Sequence, residues 1–133
     1  MSDARARDFQ RGYARDMTEA ERDVEREVFG SDEGIWGYTT PAQATALIGH
    51  LELGPDKLLL DIGCGRGWPS VYLARTAGCA VVATDFPAAS PRNALLRAEA
   101  QGVEVSYSAI RASGTHLPFR SRVFDAVVHT DVL

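Results

Sequence analysis

Three glycines, Gly63, Gly65 and Gly67, stand at alternate positions just after the apolar run Leu58, Leu59, Leu60, and Asp85 closes a second apolar run eighteen residues after Gly67. Glycine lacks Cβ and tolerates positive φ, so a loop carrying three of them brings main chain close to a ligand. The amides that open a following helix add partial positive charge at the same place. A carboxylate at the tip of the neighbouring strand lies where a ribose diol would sit in a parallel sheet. These residue types at this spacing point to an adenosine-containing ligand.

The glycine spacing selects among such ligands. A dinucleotide loop reads G-x-G-x-x-G, and its third glycine lets helix and strand pack around a pyrophosphate. Here the loop reads G-x-G-x-G, with Trp68 at the dinucleotide position. An indole there argues against a pyrophosphate, which makes a nicotinamide-dependent oxidoreductase half the least favoured reading. There is no G-K-[ST] ending, which excludes a P-loop.

The motif LLLDIGCGRG at 58–67, with an acid ending the next strand, resembles the class I S-adenosylmethionine-dependent methyltransferases. Leu117-Pro118-Phe119, followed by Phe124-Asp125-Ala126-Val127-Val128, is similar to the stretch that leads into that family's fourth strand. The resemblance covers residues 40–133 and rests on three motifs in order. It implies S-adenosylmethionine as cofactor, held by the main chain of Gly63, Cys64, Gly65 and Gly67, with Asp85 accepting from both ribose hydroxyls. For Asp61 it implies a hydrogen bond toward the loop or the cofactor's amino end, and a structural role satisfying loop amides stands beside that. It places Phe86 on the adenine face and the backbone at His129 along the cofactor. Where the family usually has, four positions before the Leu of the LPF stretch, an acid that accepts from the adenine amine, this chain has Ser113, followed by Gly114; a serine oxygen accepts that bond without charge assistance.

The implied activity is methyl transfer to an unidentified small-molecule acceptor, and a non-catalytic adenosylmethionine-binding module is the alternative. No residue is assigned as a catalytic base, and no metal ligand set is found. His116 reads as a loop residue rather than a base, and His129 has no partner that would fix its tautomer.

Composition bounds these readings. The 133 residues suit one domain and carry a net charge of −4, so no electrostatic footprint for nucleic acid is visible. Residues 1–33 hold ten acids and six arginines, whereas residues 34–133 balance eight against eight. The excess charge therefore belongs to the N-terminal segment. The two cysteines, Cys64 and Cys79, have no C-x-x-C or histidine partner and read as small buried thiols. No apolar run is long enough for a membrane span, and the start of the chain is not a signal peptide. A cytoplasmic location is expected.

The elements that must position the loop follow from punctuation and periodicity. Residues 4–29 read as a polar helical segment, with a capping box at Thr18 and Glu21. Phe9, Tyr13 and Met17 step by four along it and suggest a docking face; the resemblance implies a lid, with Tyr13 as its contact. Thr40, Pro41 and Gln43 start the next helix, which Gly54-Pro55 stops. Strands are expected over 57–62, 80–85, 103–107 and 123–129, with a loop from 108 to 122. Helices are expected to open at Pro69 and, capped by Ser90, at Pro91. Trp36, Tyr38, Trp68 and Tyr72 either flank the pocket or fill the core.

Alternating strands and helices predict an α/β fold, a doubly wound parallel sheet. The resemblance gives it a Rossmann-like partial strand order of 3-2-1-4. The division is 1–38, an N-terminal helical lid segment, and 39–133, a cofactor-binding domain. The family carries three further strands after the fourth, so the sequence reads as truncated there. Strand four is then an edge bearing Val127 and Val128, and a homodimer or partner chain is expected to cover it.

Overall fold

The computed structural model describes residues 4, 7 and 17–130. Phe9 and Tyr13, and with them the expected lid contact, lie outside the described residues.

Both capping boxes form. Thr18 caps α1 (Glu19–Phe29): its hydroxyl accepts from Glu21 N at 3.2 Å while the Glu21 carboxylate accepts from Thr18 N at 2.7 Å. Thr40 and Gln43 repeat the exchange at 3.2 and 2.9 Å, with Pro41 at the first position of α2 (Pro41–His50). In each case two otherwise unpaired donors of the first turn are satisfied by residues three apart in sequence.

The sheet has β1 (Leu58–Ile62), β2 (Ala80–Asp85), β3 (Tyr107–Arg111) and β4 (Ala126–Val128), in the order β3-β2-β1-β4. All three pairings are parallel. Leu59, Leu60 and Asp61 of β1 are all buried, as expected for a central strand covered on both faces. Two helices follow the first two strands, α3 (Ser70–Ala77) and α4 (Ala89–Ala100). The core gathers Leu59, Val71, Leu73, Val81, Ala94 and Tyr107 between sheet and helices. Burying a side chain of this size stabilises the fold by about 1.5–3 kcal/mol. β4 is an edge among the described residues, with Val127 half-exposed and Val128 buried.

Four element boundaries differ from expectation. Pro69 precedes α3 as its cap residue and the helix begins at Ser70. Ser90 does not cap α4: that helix starts at Ala89 and leaves Ser90 fully buried in its first turn. Pro91 is tolerated at the third position of the helix, because amides of the first turn lack intrahelical partners anyway. Residues 104–106 form a 3-10 turn, and β3 starts only at Tyr107, whose register partner is Val81. The alternation Val103-Glu104-Val105 looks like a strand, yet Val105 is 97% exposed; Tyr107 is the large side chain that reaches the core. Regular pairing of β4 begins at Ala126, since the Asp125 side chain occupies the preceding rung. Its Oδ2 accepts from Leu58 N at 2.8 Å while Asp125 N donates to Leu58 O at 2.9 Å.

Candidate functional site

The loop from β1 to α3 is built from left-handed backbone, with φ of 76° at Gly63, 53° at Gly65 and 97° at Gly67. At Gly67 the requirement is double. A Cβ there would lie 2.8 Å from Val71 Cγ2 and 3.4 Å from Ala94 Cα, so the bare backbone lets the loop press onto α3 and α4. Gly63 N and Cys64 N both donate to Thr84 O, at 2.8 and 2.9 Å. Gly65 N donates to Asp85 Oδ2 at 2.9 Å, and Phe86 N donates to Asp85 Oδ1 at 2.9 Å. The glycine loop and the acid that closes β2 therefore face one another and are bonded together. A carboxylate has about four acceptor sites, so Asp85 keeps capacity for further donors.

Beneath the loop lies a buried polar chain. The Tyr107 hydroxyl and Ser70 Oγ are 2.8 Å apart, and Ser70 is in turn hydrogen-bonded to the Asp61 carboxyl. Asp61 is 1% exposed, and its Oδ2 has no hydrogen-bond partner among the described residues. Burial pushes the Asp61 carboxyl up to about 7; the Ser70 bond opposes that, and the nearby Asp85 charge adds to it. Cys64, also buried, has its thiol pushed well up by burial and by the charges of Asp61 and Asp85. Such a thiol stays protonated and unreactive.

The outer tips of β2 and β3 present an exposed aromatic. Phe86 is 55% exposed, with the Arg111 guanidinium 5.0 Å from its ring centroid and Arg111 Nε donating to Phe86 O at 2.7 Å. The segment after β3 then turns back toward β1: a Cβ on Gly114 would lie 3.3 Å from Ile62 Cγ2. Ser113 thus stands beside the cleft, with its hydroxyl 2.8 Å from Thr115 Oγ1 in a local turn. His129 is exposed just past the end of β4. Asp61, Gly63, Gly65, Gly67, Asp85, Phe86 and Gly114 all lie along the strand-end edge of the sheet; Ser113 and His129 are at its margin.

The linker between α1 and α2 packs over the loop. The Arg66 guanidinium lies 4.4 Å from the Trp36 ring centroid, and Trp68 Nε1 donates to Thr39 O at 2.9 Å. Trp68 is buried, filling the place a dinucleotide loop gives to glycine. Tyr72 packs beside it with ring centroids 5.5 Å apart, and its hydroxyl is 2.7 Å from Thr45 Oγ1, so Trp68 belongs to the core and Tyr72 packs, partly buried, against it. Tyr38 is 91% exposed. The linker is held by Glu25 of α1, which is buried and accepts from Gly34 N at 3.2 Å, Ile35 N at 3.0 Å, the Ser31 hydroxyl at 3.3 Å and Glu33 N. Arg75 adds an ion pair to Glu33 at 2.5 Å.

Three of these residues have no individual signal in the sequence: Glu25, Ser70 and Arg66. Glu25 is one of many acids on a polar helix, and only the fold shows four donors converging on it. A buried tyrosine with a polar handle is the type of residue expected to seek a partner, which is the one clue Tyr107 offered. Among the described residues there is no group of three or more side chains suited to holding a metal ion, and no helix long and apolar enough to cross a membrane.

Comparison with known proteins adds an independent observation. The family model for the methyltransferase domain matches residues 59–133, from the middle of β1 onward. The glycine/sarcosine/dimethylglycine N-methyltransferase of Actinopolyspora halophila is 30% identical over 111 residues, covering 77% of this chain and 20% of that protein. A SAM-dependent methyltransferase from Thiobacillus denitrificans, solved with S-adenosyl-L-homocysteine, superposes with a TM-score of 0.63 at 23% identity, over 86% of this chain and 44% of that one. The geranyl diphosphate C-methyltransferase of Streptomyces coelicolor A3(2) gives 0.60 at 30% identity, over 66% and 33%. The chain spans between 20% and 35% of the length of the curated relatives it matches.

Proposed function

The chain belongs to the methyltransferase-domain family, and from that membership we propose that it binds S-adenosylmethionine and forms the cofactor-binding part of an enzyme that methylates a small-molecule acceptor. The observation that carries this reading is the 2.9 Å bond from Gly65 N to Asp85 Oδ2, which brings the bare loop and the ribose-binding acid to one cleft. The residues fit the cofactor chemically. Asp85 retains acceptor capacity for a diol, Phe86 offers an exposed ring for a planar base, and Asp61 Oδ2 is a buried acceptor lacking a donor.

When bound, the cofactor supplies a methyl group on a sulfonium, activated without help from a metal or a protein nucleophile. The chain's own task is orientation and exclusion of water. The glycine loop gives close main-chain approach, Asp85 fixes the sugar, and Trp36 with the linker covers the loop from the α1 side. A proton acceptor is required only where the methyl acceptor must lose a proton. Trp68 in place of the third dinucleotide glycine supports the choice against a nicotinamide cofactor. A cytoplasmic location and a partner strand along the β4 edge, in a homodimer or with another chain, belong to the same reading. The exposed Val127 supports the second of these.

Calorimetric titration of the full chain with S-adenosylmethionine, S-adenosylhomocysteine and NAD tests the proposal. The first two are expected to bind and NAD to give no heat. Binding of NAD alone would overturn it. A methyl-release assay then separates an active enzyme from a module that binds without turnover.

A further inference from the structure

A second cavity, of about 320 Å³, lies on the far side of α4 from the sheet, between that helix, α1 and the linker. Its charged and polar walls are Arg22 of α1, Asp32 of the linker, Arg66 of the glycine loop, and Asn93, Arg97 and Gln101 of α4. Among the described residues, three guanidiniums thus meet one carboxylate. That carboxylate is already committed, since Asp32 pairs with Arg26 at 3.2 Å. The other two acids near Arg97 are committed as well: Glu25 to the linker amides and Glu33 to Arg75. Among the described residues neither Arg22 nor Arg97 has a carboxylate oxygen within 4.0 Å.

The positive charge is also held in place. Arg66 stacks on Trp36, and Arg97 packs so tightly on Gly34 that a Cβ there would lie 1.9 Å from its terminal nitrogen. Burial lowers the Arg97 pKa and Arg22 contributes in the same direction, so the two guanidiniums repel. Gln101 gives its Oε1 to Arg75, which leaves its amide nitrogen, a donor, as the other end. Fixed, partly buried guanidiniums with amide donors beside them are the chemistry that recognises oxyanions, which accept such donors in pairs.

We propose that this cavity is an anion site that takes a small oxyanion of the phosphate class, free or carried on a small metabolite, and that the bound anion clamps α1 and the linker onto the glycine loop. The site is separate from the cofactor cleft and does not depend on the methyltransferase reading. An anion there contacts α1 through Arg22, the loop through Arg66 and the body through Arg97. It therefore favours the arrangement in which all three converge, and it stabilises that arrangement in proportion to its occupancy.

The test is calorimetry on the full chain, without cofactor, using inorganic phosphate and pyrophosphate, against chloride at matched ionic strength. Saturable binding is expected. It should weaken by about tenfold or more in Arg97→Gln and in Arg22→Gln, because each removes a charge-assisted contact. It should be unchanged in Arg92→Gln, an exposed arginine of α4 outside the cavity. Stronger binding of pyrophosphate than of phosphate assigns the natural ligand to a phosphorylated metabolite; equal binding assigns it to the free anion. Phosphate should also slow chymotryptic cleavage after Trp36 and Tyr38, which reports the clamp directly. Absence of saturable heat, or equal loss in Arg92→Gln, overturns the site. Anion binding with unchanged cleavage overturns the clamp. If Arg97→Gln fails to fold, Arg22→Gln decides, since its side chain lies on α1 and not against Gly34.

Discussion

Replacing Asp85 separates the two tasks its carboxylate performs. One is structural: Gly65 is buried, and its N–H has Asp85 Oδ2 as partner at 2.9 Å. Asp85→Ala strands that donor at a cost of about 1–3 kcal/mol, whereas the N–H of exposed Phe86 finds water. For a chain of this size such a loss lowers Tm by roughly 3–10 °C. The other task is binding. Hydrogen bonds from ribose hydroxyls to a charged acceptor contribute about 1.5–3 kcal/mol each, so losing even one weakens S-adenosylmethionine by about tenfold or more. Asp85→Asn is the more telling variant. Its single amide oxygen can still serve Gly65, so stability should fall less than in Asp85→Ala. The charge is gone, so affinity should fall nearly as far. Urea unfolding and calorimetric titration on the same preparations read both quantities. A folded Asp85→Ala protein with wild-type affinity would refute the assignment, and an unchanged unfolding midpoint would refute the structural task.

Further expectations concern the loop, its buried acid and the linker. Gly67→Ala should destabilise by about 2–5 kcal/mol, combining a strained backbone with overpacking against Val71 and Ala94. Gly30→Ala, at φ 65° with no atom within 4 Å of a built Cβ, should lose only about 1–2 kcal/mol, so equal urea midpoints for the two variants would sink the packing argument. Asp61 holds its proton in the folded chain up to about pH 7, whereas the unfolded chain releases it near the ordinary aspartate value of about 4. The unfolded state therefore binds fewer protons across that window, and stability falls as pH rises through it and levels off above. Asp61→Asn removes the effect, so the variant should gain on the wild type by about 2–3 kcal/mol between pH 5 and pH 8; parallel pH profiles would contradict this. Glu25→Gln keeps one acceptor oxygen where several donors converge, and should cost about 3 kcal/mol or more while making Trp36 and Tyr38 more open to chymotrypsin. Unchanged cleavage would mean the linker does not depend on that carboxylate.

Short-range chemistry is legible directly in the order of residues. Thr18 with Glu21, and Thr40 with Pro41 and Gln43, fix helix starts because a capping residue and its donors are three positions apart. Gly63, Gly65 and Gly67 specify a turn because only glycine adopts that backbone freely. The buried runs of β1 and β2 and their parallel order follow from apolar segments alternating with helices. Tertiary structure alone decided what depends on distant residues meeting. β3 starts at Tyr107 because that side chain, and not Val105, reaches the core and Ser70. Ser90 became a buried helical residue because α4 begins earlier against the sheet. The Asp61 environment, the bond between Gly65 and Asp85, the Glu25 nest and the convergence of Arg22, Arg66 and Arg97 join segments twenty to seventy-five positions apart, or collect donors that no local pattern orders. A side chain's partners at that separation are set by how helices and strands pack, and burial then sets the strength and protonation of what they form.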